Sequence, residues 1–336
     1  MNTRNRELTV SLKDLSIGYI YKSEQKLVGD SFSCEIYSGE LTCLIGANGV
    51  GKSTLLRTLS AFQPQLGGTI EIQGKDISEY TEKELAQVIS VVLTERFSIK
   101  NMTVRELIGL GRSPYTGFWG LLSDKDHEII NKAIKLVRIE DLECRLIDTL
   151  SDGERQKCLI AKALVQDTPI ILLDEPTAFL DFPSKVELMQ LLHRLSRETN
   201  KTIFLSTHDL ELALQIADKI WLMDRISGIR IGTPEDLALD GSLEHFFAQK
   251  DIIFDPKTGL FRVENDFTHR VRLEGHGAVY AMVRKALLRN KILASRECNS
   301  NWCIRASYSS FDLMKDNVLI KSVNTIEELL EEVEGL

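Results

Sequence analysis

The chain has 336 residues, 43% of them hydrophobic and 27% charged, enough for one large domain with a small one or for two medium domains. Its formal net charge of −8 argues against nucleic-acid binding, which needs clustered Lys and Arg for phosphate contacts. No apolar run approaches the roughly 18 residues that span a bilayer, and the polar N-terminus MNTRNRELTVSLKDL lacks the apolar core of a signal peptide.

Residues 7–37 alternate apolar and polar in short stretches (Leu8, Val10, Leu12; then Phe32, Cys34, Ile36), which predicts antiparallel strands. Ser38-Gly39 turns the chain into Leu41–Ile45, apolar enough for a buried strand. From Lys52 the pattern becomes helical, with Leu55, Leu59 and Phe62 on one face, until Pro64 and Gly67-Gly68 stop it. A strand is expected over Thr69–Ile72 and mostly helix over 103–150. Next come a helix over 151–166 with a Leu159, Ala163, Leu164 stripe, a strand over Ile170–Leu173 and a helix over 183–199. A strand over Thr202–Ser206, a helix over Leu210–Ala217 and a strand over Ile220–Met223 complete the run. Such alternation implies a mostly parallel sheet with helices on its faces.

After about residue 250 the character changes. A hairpin is expected from Ile252–Phe254 and Leu260–Val263 around Asp255–Gly259. A β-α-β-β-α tail follows, in strands at His269–Leu273, Trp302–Tyr308 and Val318–Lys321 and helices at Ala278–Leu288 and Ile326–Val333. The division reads as 1–262 and 263–336, the second part a small α+β domain. Glu327, Glu328, Glu331, Glu332 and Glu334 read as a solvated helix face. The six Cys (34, 43, 144, 158, 298 and 303) form no C-x-x-C pair and read as reduced, mostly buried thiols.

Chemistry concentrates in a few segments. Gly46-Ala47-Asn48-Gly49-Val50-Gly51-Lys52-Ser53 fits G-x-x-x-x-G-K-[ST] between a buried strand and an amphipathic helix. Its glycines let the backbone wrap an anion, and loop amides and the helix N-terminus face the phosphates. Lys52 supplies charge for the β- and γ-phosphates and Ser53 a hydroxyl for Mg2+; Thr54 follows in the same turn. The apolar strand ending in Asp174-Glu175 adds a carboxylate beside the magnesium and a second one able to polarise a water. Ser151-Asp152-Gly153-Glu154 opens a helix; alone it is a capping box, and a helix N-terminus is also an anion site.

In this order and spacing, the segments resemble the ATP-binding subunits of ABC transporters over about residues 1–235. Leu150-Ser151-Asp152-Gly153-Glu154 is similar to their signature segment, with Asp152 where Gly is commoner. His208 in Ser206-Thr207-His208-Asp209 matches their switch histidine, Asp181 in Ala178-Phe179-Leu180-Asp181 their D-loop, and Tyr19 the ring that stacks on adenine. The resemblance implies a P-loop ABC ATPase α/β fold with a mostly parallel sheet, an antiparallel N-terminal sheet and a helical subdomain. It implies ATP with Mg2+, Glu175 as base and His208 on the γ-phosphate. It also implies a homodimer in which each ATP lies between one phosphate loop and the partner's LSDGE segment. The family's usual magnesium-linked Gln is replaced: spacing puts Thr94 in its place, with Glu95 next, and either side chain carries an oxygen that Mg2+ accepts as a ligand.

Met102–Leu107 followed by Gly111-Arg112-Ser113-Pro114-Tyr115 is similar to the ATPases of ferric siderophore, haem and vitamin B12 importers. The segment lies where that family meets its permease, and Phe118 and Trp119 are candidates for the contact. The expected role is therefore to energise such an importer, with integral-membrane permease subunits as partners, a substrate-binding protein as an indirect one and a cytoplasmic, peripheral location. A soluble ABC ATPase of iron–sulfur assembly is the alternative. The cargo does not touch this subunit, so its identity is not written in these residues.

Overall fold

The computed structural model describes residues 6–22, 24–93, 101–117, 120–225, 228–248, 252–255, 260–263 and 267–333. Two compact units are present, Met1–Phe246 and Phe247–Leu336, so the hairpin expected at the end of the first domain clusters with the second unit.

The first unit opens with β1 (Leu8–Tyr21), β2 (Glu24–Tyr37), β3 (Leu41–Gly46), α1 (Lys52–Leu59), β4 (Gly67–Ile72) and β5 (Lys75–Asp76). An antiparallel sheet runs β2-β1-β4-β5. Val10, Leu12, Phe32, Cys34 and Ile36 are buried as the alternation predicts, whereas Leu8 is exposed at the strand end. Helix α1 is shorter than its apolar stripe suggests: Leu55 and Leu59 are buried, but Phe62 lies past the helix and is exposed. The Ser60 hydroxyl donates to the Leu56 and Arg57 carbonyls, and Ala61 turns at a φ of 57°, so the helix stops there.

The chain continues through α2 (Glu82–Leu85), β6 (Ile89–Val92), α3 (Val104–Gly109), α4 (Asp124–Val137), α5 (Asp152–Val165), β7 (Ile170–Leu173) and α6 (Phe182–Thr199). Then come β8 (Thr202–Thr207), α7 (Leu210–Ile216), β9 (Lys219–Asp224), β10 (Gly228–Gly232), α8 (Pro234–Leu239) and α9 (Ser242–Ala248). The second sheet runs β10-β9-β3-β8-β7-β6, parallel except for the edge strand β10. The four helices α2 to α5 each start with a capping box, Thr81/Glu84, Thr103/Glu106, Ser123/Asp126 and Ser151/Glu154. Packed against α3, α4, α6 and β6, helix α5 buries more than one stripe: Cys158, Ile160, Ala161 and Val165 are as inaccessible as Ala163 and Leu164, and Leu159 is only half-buried.

Arg112, which the sequence placed in a partner-facing segment, is an internal pin. Its Nε donates to Asp126 Oδ1 at 2.7 Å, its Nη1 to the Val165 carbonyl at 2.8 Å, and its guanidinium lies 4.0 Å from the Tyr115 ring centroid. It is 5% exposed. Arg112→Ala strands a buried carboxylate and is expected to cost about 3 kcal/mol, read as a lower urea midpoint; an unchanged midpoint would show that the pin carries no stability. Donors from Ser123 first, then Arg112, hold the Asp126 carboxyl down at about 2. A depressed folded value means its stabilisation is full above the unfolded carboxylate range near about 3.9 and is lost as pH falls toward 2. Phe118 and Trp119 lie outside the described residues.

The second unit holds the hairpin β11 (Ile252–Asp255) and β12 (Leu260–Val263), then β13 (His269–Glu274), α10 (Gly277–Arg289), β14 (Ile292–Ser295), β15 (Trp302–Ala306), β16 (Phe311–Lys315), β17 (Val318–Val323) and α11 (Ile326–Val333). Its five-stranded sheet runs β14-β13-β15-β16-β17; β13 pairs in parallel with β14 and β15, and the last three strands are antiparallel. Val283 and Leu287 of α10 and Leu329 and Val333 of α11, each pair one turn apart, close a core with Val271, Leu273, Ile304 and Leu313. The tail thus has two strands, β14 and β16, beyond the β-α-β-β-α pattern. Cys34, Cys43, Cys158 and Cys303 are buried, Cys144 is exposed and Cys298 intermediate, all as free thiols.

Candidate nucleotide site

The site lies at the C-terminal ends of the parallel strands, where ligands of open α/β sheets collect. Strand β3 delivers Gly46 into the loop and α1 takes over at Lys52. Gly49 and Gly51 have φ of 74° and 122°, backbone that side-chain-bearing residues avoid. A Cβ on Gly51 would also meet Val28 Cγ1 at 2.4 Å. Lys52 is 5% exposed; its Nζ donates to the Gly46 carbonyl at 2.9 Å and to that of Ala47 at 3.4 Å. The loop is therefore cinched around its own ammonium group.

Strand β7 ends at Leu173 and places two carboxylates. Asp174 Oδ1 accepts from Ser53 Oγ at 3.1 Å and from Ser206 Oγ at 2.6 Å. Ser206, fully buried at the end of β8, also accepts the Glu175 backbone N–H at 2.9 Å. One hydroxyl thus fixes both acids, a role that a serine ending an apolar strand does not announce in the sequence. Glu175 has a φ of 44°, a strained conformation for a residue with a side chain. That turn sets its carboxylate between an ammonium group and an imidazole: Oε1 is 3.7 Å from Lys52 Nζ and Oε2 is 3.6 Å from His208 Nδ1. The His208 side chain is 48% exposed.

A cleft of about 600 Å3 runs along this loop, a size suited to a nucleotide-sized ligand. Tyr19, Lys26, Leu27 and Val28 from the β1–β2 hairpin line one side, Asn48–Thr54 the floor, and Glu175 and Arg225 the rest. Tyr19 is 42% exposed, and its hydroxyl pairs with Thr54 Oγ1 at 2.7 Å. Arg225 is a second residue missed from the sequence.

Two expected groups stand apart from that cleft. Ser151, Asp152, Gly153 and Glu154 are not among its lining residues; Ser151 and Glu154 form the reciprocal cap of α5, whose donors hold the Glu154 carboxyl below its usual range. Asp181 caps α6 by accepting from Ser184 N at 3.1 Å; hydrogen bonding from the Ser184 hydroxyl first, then from this backbone N–H, lowers its pKa. The flanking Phe179 and Phe182 are 68% and 65% exposed. Thr94 and Glu95 lie outside the described residues. For Mg2+, the donors on hand are a hydroxyl (Ser53) and a carboxylate (Asp174), hard oxygens that suit an ion which takes its remaining ligands from phosphates and water.

Comparison with known proteins gives two family matches: ABC transporter over residues 30–178, and iron ABC transporter C-terminal domain over residues 268–334. An uncharacterised ABC transporter ATP-binding protein of Methanocaldococcus jannaschii is 39% identical over 254 residues, covering 76% of this chain and 86% of the relative. The iron(3+)-hydroxamate import ATP-binding protein FhuC of Bacillus subtilis is 33% identical over 251 residues, covering 74% of this chain and 92% of the relative. A solved dimeric bacterial ABC transporter cassette matches with a TM-score of 0.58 at 26% identity, over 67% of this chain and 98% of that one.

Proposed function

This chain belongs to the family of ABC transporter ATP-binding proteins, and from that premise we propose that it is the ATP-hydrolysing subunit of an importer for ferric siderophores or a related metal chelate. The observation that carries the reading is a phosphate-loop lysine, two acids and a histidine clustered in one chain. Lys52 and Glu175 line the cleft, Asp174 is bonded to the lining Ser53 and His208 stands beside Glu175, while no residue of the LSDGE segment lines it. A second copy of the chain supplies that segment, closing each nucleotide between two subunits. The exposed Phe179 and Phe182 beside Asp181 give the closing face apolar surface to bury.

In this mechanism the loop amides and Lys52 hold the β- and γ-phosphates. Glu175 takes a proton from water as its oxygen attacks the γ-phosphorus; the bond to the bridging β,γ-oxygen breaks, leaving ADP and inorganic phosphate. His208, half-exposed and beside Glu175, contacts the γ-phosphate. Ser206 keeps Asp174 and Glu175 in register. Ser53 and Asp174 would hold Mg2+, which neutralises charge on the phosphates when bound. Tyr19, which lines the cleft, offers its ring to the base.

Among the described residues no helix is long and apolar enough to cross a membrane, so the proposed membrane attachment runs through integral permease subunits. A soluble iron–sulfur assembly ATPase gains no support, since the named import relative and the matched C-terminal family both belong to iron transport. The test is to recover the tagged chain from detergent-solubilised membranes. A multi-spanning permease should accompany it, and ATP turnover by that complex should respond to a ferric siderophore delivered by a binding protein. A chain that hydrolyses ATP yet brings down no membrane protein would sink the importer reading and leave the ATPase intact.

A further inference from the structure

We propose that Arg225 is a nucleotide-contacting residue of this chain, a second cation for the polyphosphate supplied from outside the phosphate loop. The inference rests on the nucleotide reading of the cleft. Arg225 leaves the C-terminal end of β9, the strand that lies beside β3 in the sheet, with Gly46 opposite Met223. That placement brings its guanidinium to the crest of the loop, where Nη2 donates to the Gly49 carbonyl at 2.9 Å. Gly49 has a positive φ, and among the described residues, its chain neighbours aside, the one heavy atom within 4 Å of where its Cβ would stand is Arg225 Nη2, at 3.7 Å. The guanidinium therefore covers the side of the loop that the missing side chain leaves open.

A guanidinium carries five N–H donors. One is used on Gly49, and among the described residues Arg225 has no carboxylate partner. The side chain is exposed and lines the same cleft as Asn48–Thr54. The chain as a whole is acidic, so an unpaired Arg at this rim is a local reversal of sign. A planar donor fork with unspent N–H groups, set at the crest of an anion-binding loop, suits the oxygens of a nucleoside di- or triphosphate. Its tie to Gly49 holds the fork in place before the ligand arrives, which lowers the entropy cost of the contact. Lys26 of β2 also lines the cleft, so positive charge reaches the polyphosphate from two segments outside the loop.

The test uses the full chain with ATP and ADP titrated at two ionic strengths. Arg225→Ala should weaken binding of both nucleotides by about tenfold at low salt, and Arg225→Lys should recover part of the loss. The gap between wild type and Arg225→Ala should narrow as salt rises, because an exposed charge contact is screened. KM should rise with kcat nearly unchanged. If the gap were independent of salt and Arg225→Lys behaved like Ala, the residue would be a brace for the loop and the proposal would fail. Equal affinity of Arg225→Ala and wild type would also overturn it. Lys52→Ala serves as the control: if it lowers affinity where Arg225→Ala does not, only this inference is lost, whereas if neither variant matters the nucleotide reading itself is lost.

Discussion

Glu175→Gln is expected to lower ATP turnover by roughly 10²- to 10⁴-fold, the usual range for losing a general base, while ATP affinity stays within a few-fold of wild type. The amide keeps the side chain's volume, and the backbone at this position is still held through the Ser206 hydroxyl. Lys52 and His208 lose only a carboxylate neighbour at 3.7 and 3.6 Å. With hydrolysis blocked, ATP should hold two chains together, and sedimentation with saturating ATP and Mg2+ should show a dimer. A monomer under those conditions would count against the two-chain site. Undiminished turnover would instead remove Glu175 as the base.

Lys52→Ala should act earlier, on binding. The lost ammonium group donated to two loop carbonyls and is the loop's own cation, so ATP affinity should fall by roughly 10²-fold. Lys52 is 5% exposed, so Ala also leaves a void; Lys52→Met keeps most of the volume and separates charge from packing. Titration with a fluorescent ATP analogue measures the change, and a melting curve confirms that the variants fold. Wild-type affinity in the Met variant would displace the phosphates from this loop.

The site was legible where chemistry follows composition. GANGVGKS specifies its own backbone, because glycines and a lysine in that spacing leave few alternatives. The apolar run Ile170–Leu173 ending in two acids marks a strand that delivers them. Ser206 and Arg225 were not legible, since a serine at a strand end and an arginine at a turn carry no sign of what they will face. Nor does sequence announce the positive φ of Glu175: that conformation is imposed by the tertiary structure on a residue that would not choose it. The capping box at Ser151–Glu154 could be read locally, but its relation to a nucleotide came only from the family resemblance.

Among the elements, β6 was missed because Ser90 interrupts its apolar run, whereas its equally short partner β7 is apolar throughout. β16 was hidden by its turn. Asp316 and Asn317 both have positive φ and close a two-residue hairpin loop, without the glycine that usually signals one. Phe62 was assigned to a helix face by periodicity alone, whereas Ser60 and Ala61 had already ended the helix.

The strand order has a consequence for how the protein is made. β3, which launches the phosphate loop, takes its hydrogen-bonding neighbours from β8 and β9, so the partners of residues 41–46 are not synthesised until 202–224. Leu41, Thr42, Cys43, Leu44 and Ile45 are all buried in the finished sheet. On the ribosome they emerge as an apolar strand with both edges open, at a stage when Asp174, Glu175, Ser206 and His208 are not yet synthesised. Nucleotide therefore cannot template early folding. A nascent chain shorter than about 225 residues should depend on chaperone cover for this segment, and premature termination before β9 should yield aggregation instead of a partial ATPase.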